Sequence, residues 1–313
     1  MKHALPLLII LIIAANIAFG AHWHRIPIDI NQDFTGLYFF DKNTGFLVTK
    51  NGQIISIDLT VSPPRIKTTS FPTNFYDICF LNNGRVGFAV GDKGLIAKTQ
   101  NAGLDWTTIS HHPDMRFTGI RFVDPISGYM VGSSYGKKII DTGFVFETSN
   151  GGETWDSLTI RGRKIRKVDI SNDSLITVTG FGAIYKLDKR TETWDTVKLD
   201  FNMLPMATTI RDNKGIIVGG RGLLALSSDR GRTWDLTGAI VDTATFFDIL
   251  MLDSKRAYIV GTGGEILYTG DSGRNWTPEA STTGFDLNAV HLAGNRIFVC
   301  GKKGTLIYTD LEK

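Results

Sequence analysis

Six glutamates, at positions 147, 153, 192, 265, 279 and 312, are the residues best suited to carboxylate chemistry in this 313-residue chain. Glycoside hydrolysis needs two such groups facing one substrate, or one that activates a tyrosine nucleophile. Glu153 and Glu192 fall in turns, Glu265 in a glycine turn, and Glu279 and Glu312 near strand ends or the terminus. None stands in a visible arrangement with a tyrosine. His111 and His112 are adjacent, but no third ligand follows at metal-like spacing, so a solvated loop is the expectation. Cys79 and Cys300 are too few for a disulfide framework and read as buried free thiols. Gly219-Gly-Arg-Gly222 has the glycines of a phosphate loop, yet no helix follows it. Neither a catalytic residue nor a cofactor nor a metal is expected.

The elements that carry these residues follow from a period. Tryptophans at 106, 155, 194, 234 and 276 are 49, 39, 40 and 42 residues apart, and Trp23 precedes Trp106 by two such intervals. Four copies share the pattern [ST]-x-[DN]-x-G-x-x-W: Asn101, Gly103 and Trp106; Asn150, Gly152 and Trp155; Asp229, Gly231 and Trp234; Asp271, Gly273 and Trp276. Their Asp and Asn lack the D-x-D-x-D-G series of a calcium loop, and turn capping explains them. Upstream of each box comes an apolar run ending in a glycine turn, and before that a segment such as Phe75-Tyr-Asp77-Ile-Cys-Phe. Four short strands in every forty-odd residues are the signature of a propeller blade. Units begin near Phe34, Phe75, Phe117, Lys167, Met206, Phe246 and Leu287. The predicted fold is therefore an all-β, seven-bladed propeller of four-stranded antiparallel blades.

The last unit stops at Lys313 without an outer strand or a tryptophan, whereas Trp23-His-Arg25-Ile-Pro27 reads as a strand without a blade. The N-terminal strand is thus expected to complete the seventh blade and remove an exposed edge. The first unit has Pro63 and Pro64 where its tryptophan would fall, which predicts an irregular outer strand.

Residues 1–20 are expected to be a signal peptide and 21–313 a single propeller domain. Lys2 and His3 precede the apolar run Ala4–Ala15, and Ala18-Phe19-Gly20 supplies small residues before a cut, with Ala21 next. The apolar run is short for a membrane span and Asn16 interrupts it, which favours cleavage, with no integral membrane segment left after it, over the alternative of an uncleaved N-terminal anchor. No cysteine follows the cut to take a lipid. The mature chain is expected to be periplasmic or secreted, and monomeric. It carries 33 basic against 31 acidic residues once Lys2 is removed, which argues against nucleic acid as a partner.

The full unit, F-x-D-I-x-F followed by a glycine turn and the box, resembles the photosystem II stability/assembly factor family of seven-bladed propellers. Gly91, Gly94, Thr99, Asn101, Gly103 and Trp106 carry the match, as do Gly261, Gly264, Thr269, Asp271, Gly273 and Trp276. The box alone is the Asp-box, or bacterial neuraminidase repeat, a folding element of many propellers. The resemblance covers residues 22–313. It implies an exported, non-enzymatic scaffold that holds a protein client during assembly or stabilisation of a membrane or envelope complex. It also implies a basic contact patch, for which Arg161, Arg163, Lys164, Arg166 and Lys167 are the candidates.

Two other surfaces stand out. The inner strands should line a central channel, making Asp77, Asp248 and Asn288 candidates for its mouth. Ser133–Asp141 is the extra length in the 49-residue interval and should project into solvent. The alternatives are a sialidase-like glycoside hydrolase, suggested by Arg25-Ile-Pro27, and a carbohydrate or cell-surface recognition module. The first lacks a visible set of later catalytic arginines.

Overall fold

Short apolar runs bounded by Gly, Asp and Asn give the chain strands throughout, because tight hairpins need left-handed backbone that glycine adopts without cost. The computed structural model describes residues 21–81, 84–110, 113–134, 142–163, 165–171, 175–188, 191–199, 204–237, 241 and 243–311, with the side chains of 110 and 159–163 left aside. The expected signal peptide, the His111-His112 pair and most of the Ser133–Asp141 insertion lie outside the described residues. Among those described, the only helices are two three-residue 3₁₀ turns, Gly220–Gly222 and Thr262–Gly264, and none could cross a membrane.

The strands pair into seven antiparallel sheets of four. Their inner strands are Phe34–Phe39, Phe75–Phe80, Met115–Phe122, Lys167–Ser171, Pro205–Arg211, Phe246–Met251 and Leu287–Ala293, within two residues of the starts read from the period. We number the blades 1 to 7 in that order. Six blades are consecutive stretches of chain. The seventh takes its outer strand, His24–Arg25, from the other end of the chain. His24 pairs with Tyr308 and Arg25 with Ile307, and the Ile26 amide donates to Leu306 O at 2.9 Å.

Blade 1 differs from expectation. Its outer strand, Arg65–Ser70, pairs with Gln53–Asp58 without a register shift. Pro63 and Pro64 lie in the turn before the strand, where a missing N–H takes nothing from the ladder.

Neighbouring blades are joined by aromatic packing. Trp106 of blade 2 meets Phe46 of blade 1 edge-on, with ring centroids 6.0 Å apart. Trp155 meets Phe88 of the preceding blade in the same way, at 6.4 Å. Trp23 does so across the closure, 5.9 Å from Tyr258 of blade 6. Phe39 and Phe298 stack at 3.7 Å between blades 1 and 7.

The box turns explain their own sequence. Thr99 Oγ1 accepts the Gly103 amide at 2.9 Å and donates to Asn101 Oδ1 at 3.0 Å, and that oxygen accepts the Asp105 amide at 3.0 Å. The same set recurs around Thr148 and Asn150, Ser227 and Asp229, and Thr269 and Asp271. Gly103 has φ +79°, and a Cβ there would strike the Phe46 ring. Burial alone would raise the Asp229 carboxyl, but hydrogen bonds from Thr233, Ser227 and Arg232 outweigh it and hold the group at about 2.

Candidate functional site

Inner strands begin on one face of the ring, here called the upper face. Strand direction alternates along each blade, so turns between second and third strands, and links from one blade to the next, also lie there. The box turns join third to outer strands and fall on the lower face.

Six of the seven inner strands carry a local irregularity just where they enter the channel. In six blades the pairing with the second strand skips one residue, as between Phe75 and Asp77 or Phe246 and Asp248. Such a bulge re-aims the side chain inside it. The residues inside the bulges are Thr35, Tyr76, Thr118, Met206, Phe247 and Asn288, and all line a central cavity of about 320 Å³. Blade 4 pairs without a shift and contributes Lys167.

Asp77 is a staple between blades 2 and 3. Its carboxylate accepts the Ile78 amide at 3.0 Å, the Ile120 amide at 3.0 Å and Arg121 Nη1 at 2.6 Å. Burial alone would lower the pKa of Arg121; the adjacent Asp77 overrides that and raises it. Asp248 does the same between blades 6 and 7, accepting Ile249 N at 2.8 Å and Val290 N at 3.1 Å. Its cation is Lys167, which reaches from blade 4 past blade 5, whose aligned residue is Ala207. Asn288 donates to Phe34 O at 2.7 Å and so binds blade 7 to blade 1. Its place differs from that expected: the register aligns Asn288 with Tyr76 and Phe247, and Ala289 with Asp77 and Asp248. Counting from the unit starts gives the same alignment, since Leu287 is followed by Asn288 and Ala289 as Phe246 is by Phe247 and Asp248.

Several channel residues escaped the sequence reading. Arg121 and His291 occupy the second variable position of the F-x-D-I-x-F segment, as do Tyr38 and Cys79. Strand alternation puts that position on the channel side with the Asp, and this was the available signal. His291 Nε2 lies 3.0 Å from Phe39 O, with its ring 5.0 Å from that of Tyr38. Desolvation depresses its pKa to about 4, aided by Arg121. Higher in the channel Arg116 holds Asp92 at 2.7 Å, and Asp92 also accepts Asn74 Nδ2 at 2.7 Å and Tyr76 Oη at 3.1 Å.

The cavity wall thus carries Lys50, Arg116, Arg121, Arg166 and Lys167 against Asp77 and Asp248. Of the basic stretch, Arg166 and Lys167 line it; Lys164 and the side chains of Arg161 and Arg163 lie outside the described residues. The backbone of Arg161–Arg163 extends the outer strand of blade 3 beside Thr142–Phe144.

Glycosidase chemistry of the sialidase kind would need a carboxylate that activates a tyrosine. One Glu–Tyr contact does exist: Tyr129 donates to Glu147 at 2.7 Å, a pair separated by eighteen residues that only strand pairing brings together. Tyr129 is fully buried inside blade 3 beside Trp194, and burial pushes its hydroxyl well above the ordinary range, the reverse of an activated nucleophile. Arg25 is exposed on the outer strand of blade 7, outside the channel wall. Among the described residues no cluster could hold a metal, and both cysteines are free and buried.

Residues 186–278, from blade 4 into blade 6, match the family model described as photosynthesis system II assembly factor YCF48. The photosystem II assembly lipoprotein Ycf48 of Synechococcus sp. (strain CC9902) is 23% identical over 301 residues, spanning 93% of this chain and 89% of that protein. A solved YCF48 bound to D1 peptide superimposes with a TM-score of 0.74 at 16% identity, covering 93% of this chain and 97% of that one. YCF48 from Cyanidioschyzon merolae gives 0.72 at 16% identity, over 93% and 99% of the two chains. The WD40 propeller domain of Doa1 gives 0.73 at 13% identity, over 94% and 98%, so the fold itself is shared more widely.

Proposed function

We propose, for a chain that is a photosystem II assembly factor-like seven-bladed propeller, that it works as an exported, non-enzymatic scaffold gripping a protein client with its upper face. The client is a subunit of a membrane or envelope complex, held while that complex is assembled or stabilised. The observation that carries this reading is the convergence of all seven inner strands on one cavity whose wall holds five cations and two carboxylates. A rigid ring with a net positive mouth attracts an acidic or C-terminal segment of a polypeptide and orients it by charge-assisted hydrogen bonds. Arg166 and Lys167 supply two of those cations, and Arg161, Arg163 and Lys164 precede them in the sequence. Thr118 adds a buried hydroxyl oxygen that has no partner among the described residues and faces the same space. Similarity to a photosystem II assembly lipoprotein and to a YCF48 solved bound to D1 peptide supports a polypeptide client over a glycan.

The test is recovery of the client from the native envelope by crosslinking and pulldown. Lys50→Glu with Arg166→Glu should lower recovery at least tenfold and weaken its dependence on salt. Leu104→Ala on the lower face should leave recovery unchanged. Equal recovery with the reversed and native mouths, at matched melting temperature, overturns the reading.

A further inference from the structure

The strand that closes the ring is short, and what precedes it has an unusual partner. Trp23 is buried, and its indole N–H donates to Glu279 Oε2 at 2.7 Å. The other carboxylate oxygen, Oε1, accepts the Ala21 backbone N–H at 3.2 Å. Glu279 ends the outer strand of blade 6, so these two bonds tie the N-terminal strand to the blade beside its own. Glu279 is half-buried, and desolvation raises its pKa against the pull of those two hydrogen bonds. Among the described residues no Lys, Arg or His side chain pairs with it. A half-buried carboxylate held by one backbone amide and one indole is a site that lacks a cation.

Ala21 is also the residue that follows Ala18-Phe19-Gly20, the small-residue end of the signal sequence. We propose that cleavage of the Gly20–Ala21 bond supplies the missing cation: the new α-ammonium of Ala21 pairs with Glu279 and latches the closing strand. The step is a hydrolysis. A processing protease adds one water across the amide, leaving a carboxylate on Gly20 and an ammonium on Ala21. A neutral N–H donor at Glu279 Oε1 is thereby replaced by a charged group with three donors, and such bonds are about twice as strong as neutral ones. The closure is complete only in the processed chain.

The inference rests on the export half of the reading above, and the experiment separates the two. The chain is expressed with its leader in an exporting host and its first residue is found by intact mass. A start at Ala21 is expected. Recovery with the first twenty residues in place overturns export and latch together; a cut at another bond overturns the latch alone. The Ala21-start chain is then melted beside one carrying an extra N-terminal glycine, each with Glu279 and with Glu279→Gln. The added glycine should lower the melting temperature by about 2–4 °C with Glu279 and by under about 1 °C with Gln. The Ala21 α-amine should titrate about one unit above its ordinary value near 8. Equal shifts in both backgrounds, or an ordinary α-amine pKa, overturn the latch; the titration needs no variant and stands even where Glu279→Gln fails to fold.

Discussion

Carboxylates at the channel are tension members between blades. Asp77 spends three hydrogen bonds on Ile78, Ile120 and Arg121, joining two blades and neutralising a half-buried guanidinium. Asp77→Asn keeps the shape and one acceptor but leaves Arg121 uncompensated, so we expect a loss of about 2–4 kcal/mol in denaturant unfolding. Asp77→Asn with Arg121→Met should recover part of that loss. His291 sets an acid limit. Its folded pKa of about 4 lies below the unfolded value near 6.5, so the unfolded chain binds the extra proton between them. Its contribution to stability is present above about pH 6.5 and is lost as pH falls towards 4, by about 3 kcal/mol. Unfolding curves across that window should be flatter for His291→Gln than for the native chain. The sequence made Asp77 and Asp248 legible, since each sits in a repeated segment. Lys167 was legible only as part of a basic run; its reach across blade 5 depends on Ala207 leaving room, which no spacing encodes.

At the scale of the hairpin, the box turns repay the detail of their motif. The hydroxyl, the Asp or Asn and the glycine each make the same bonds in four blades, so nearly all of this was readable from residue type alone. Asp229→Ala removes the acceptor for Ser227, Arg232 and Thr233, and we expect a cost of about 1–3 kcal/mol by thermal melt. With its carboxyl at about 2 against an unfolded value near 3.9, Asp229 stabilises the fold above about pH 4, and that contribution fades as pH falls towards 2. Asp229→Asn, which keeps an acceptor but no charge, should lose this acid-dependent component. Gly103→Ala meets both a left-handed φ and the Phe46 ring, so it should cost more than Asp229→Ala; an equal or smaller loss in the same melt would show that blade 1 gives way. The elements that could not be read are those set by neighbours. The inner-strand bulges, which bring Tyr76, Phe247 and Asn288 alike to the cavity, arise from pairing with the second strand, and the blade 1 outer strand is regular because its prolines lie just ahead of it.

For the whole ring, the period and the orphan N-terminal strand were sufficient to give blade number, order and closure. What periodicity could not supply is which residues of different blades meet at the axis, because those contacts depend on ring curvature. Deleting residues 21–30 removes Trp23 and Ile26 from the core and bares the edge of Leu306–Asp310. Burial of Trp23 alone is worth about 4 kcal/mol, so the truncated chain should unfold early and self-associate through that edge; light scattering and melting would read both. A monomer of native stability would contradict this closure.

The box turns and the cavity sit on opposite faces, and this divides labour in the molecule. Bonds of the box turns do not pass through the rim proposed to meet a client. Turns of the upper face are therefore the exchangeable parts: unrelated sequence grafted there should retarget the ring while its melting temperature stays put, making the lower face a chassis and the upper one its tooling.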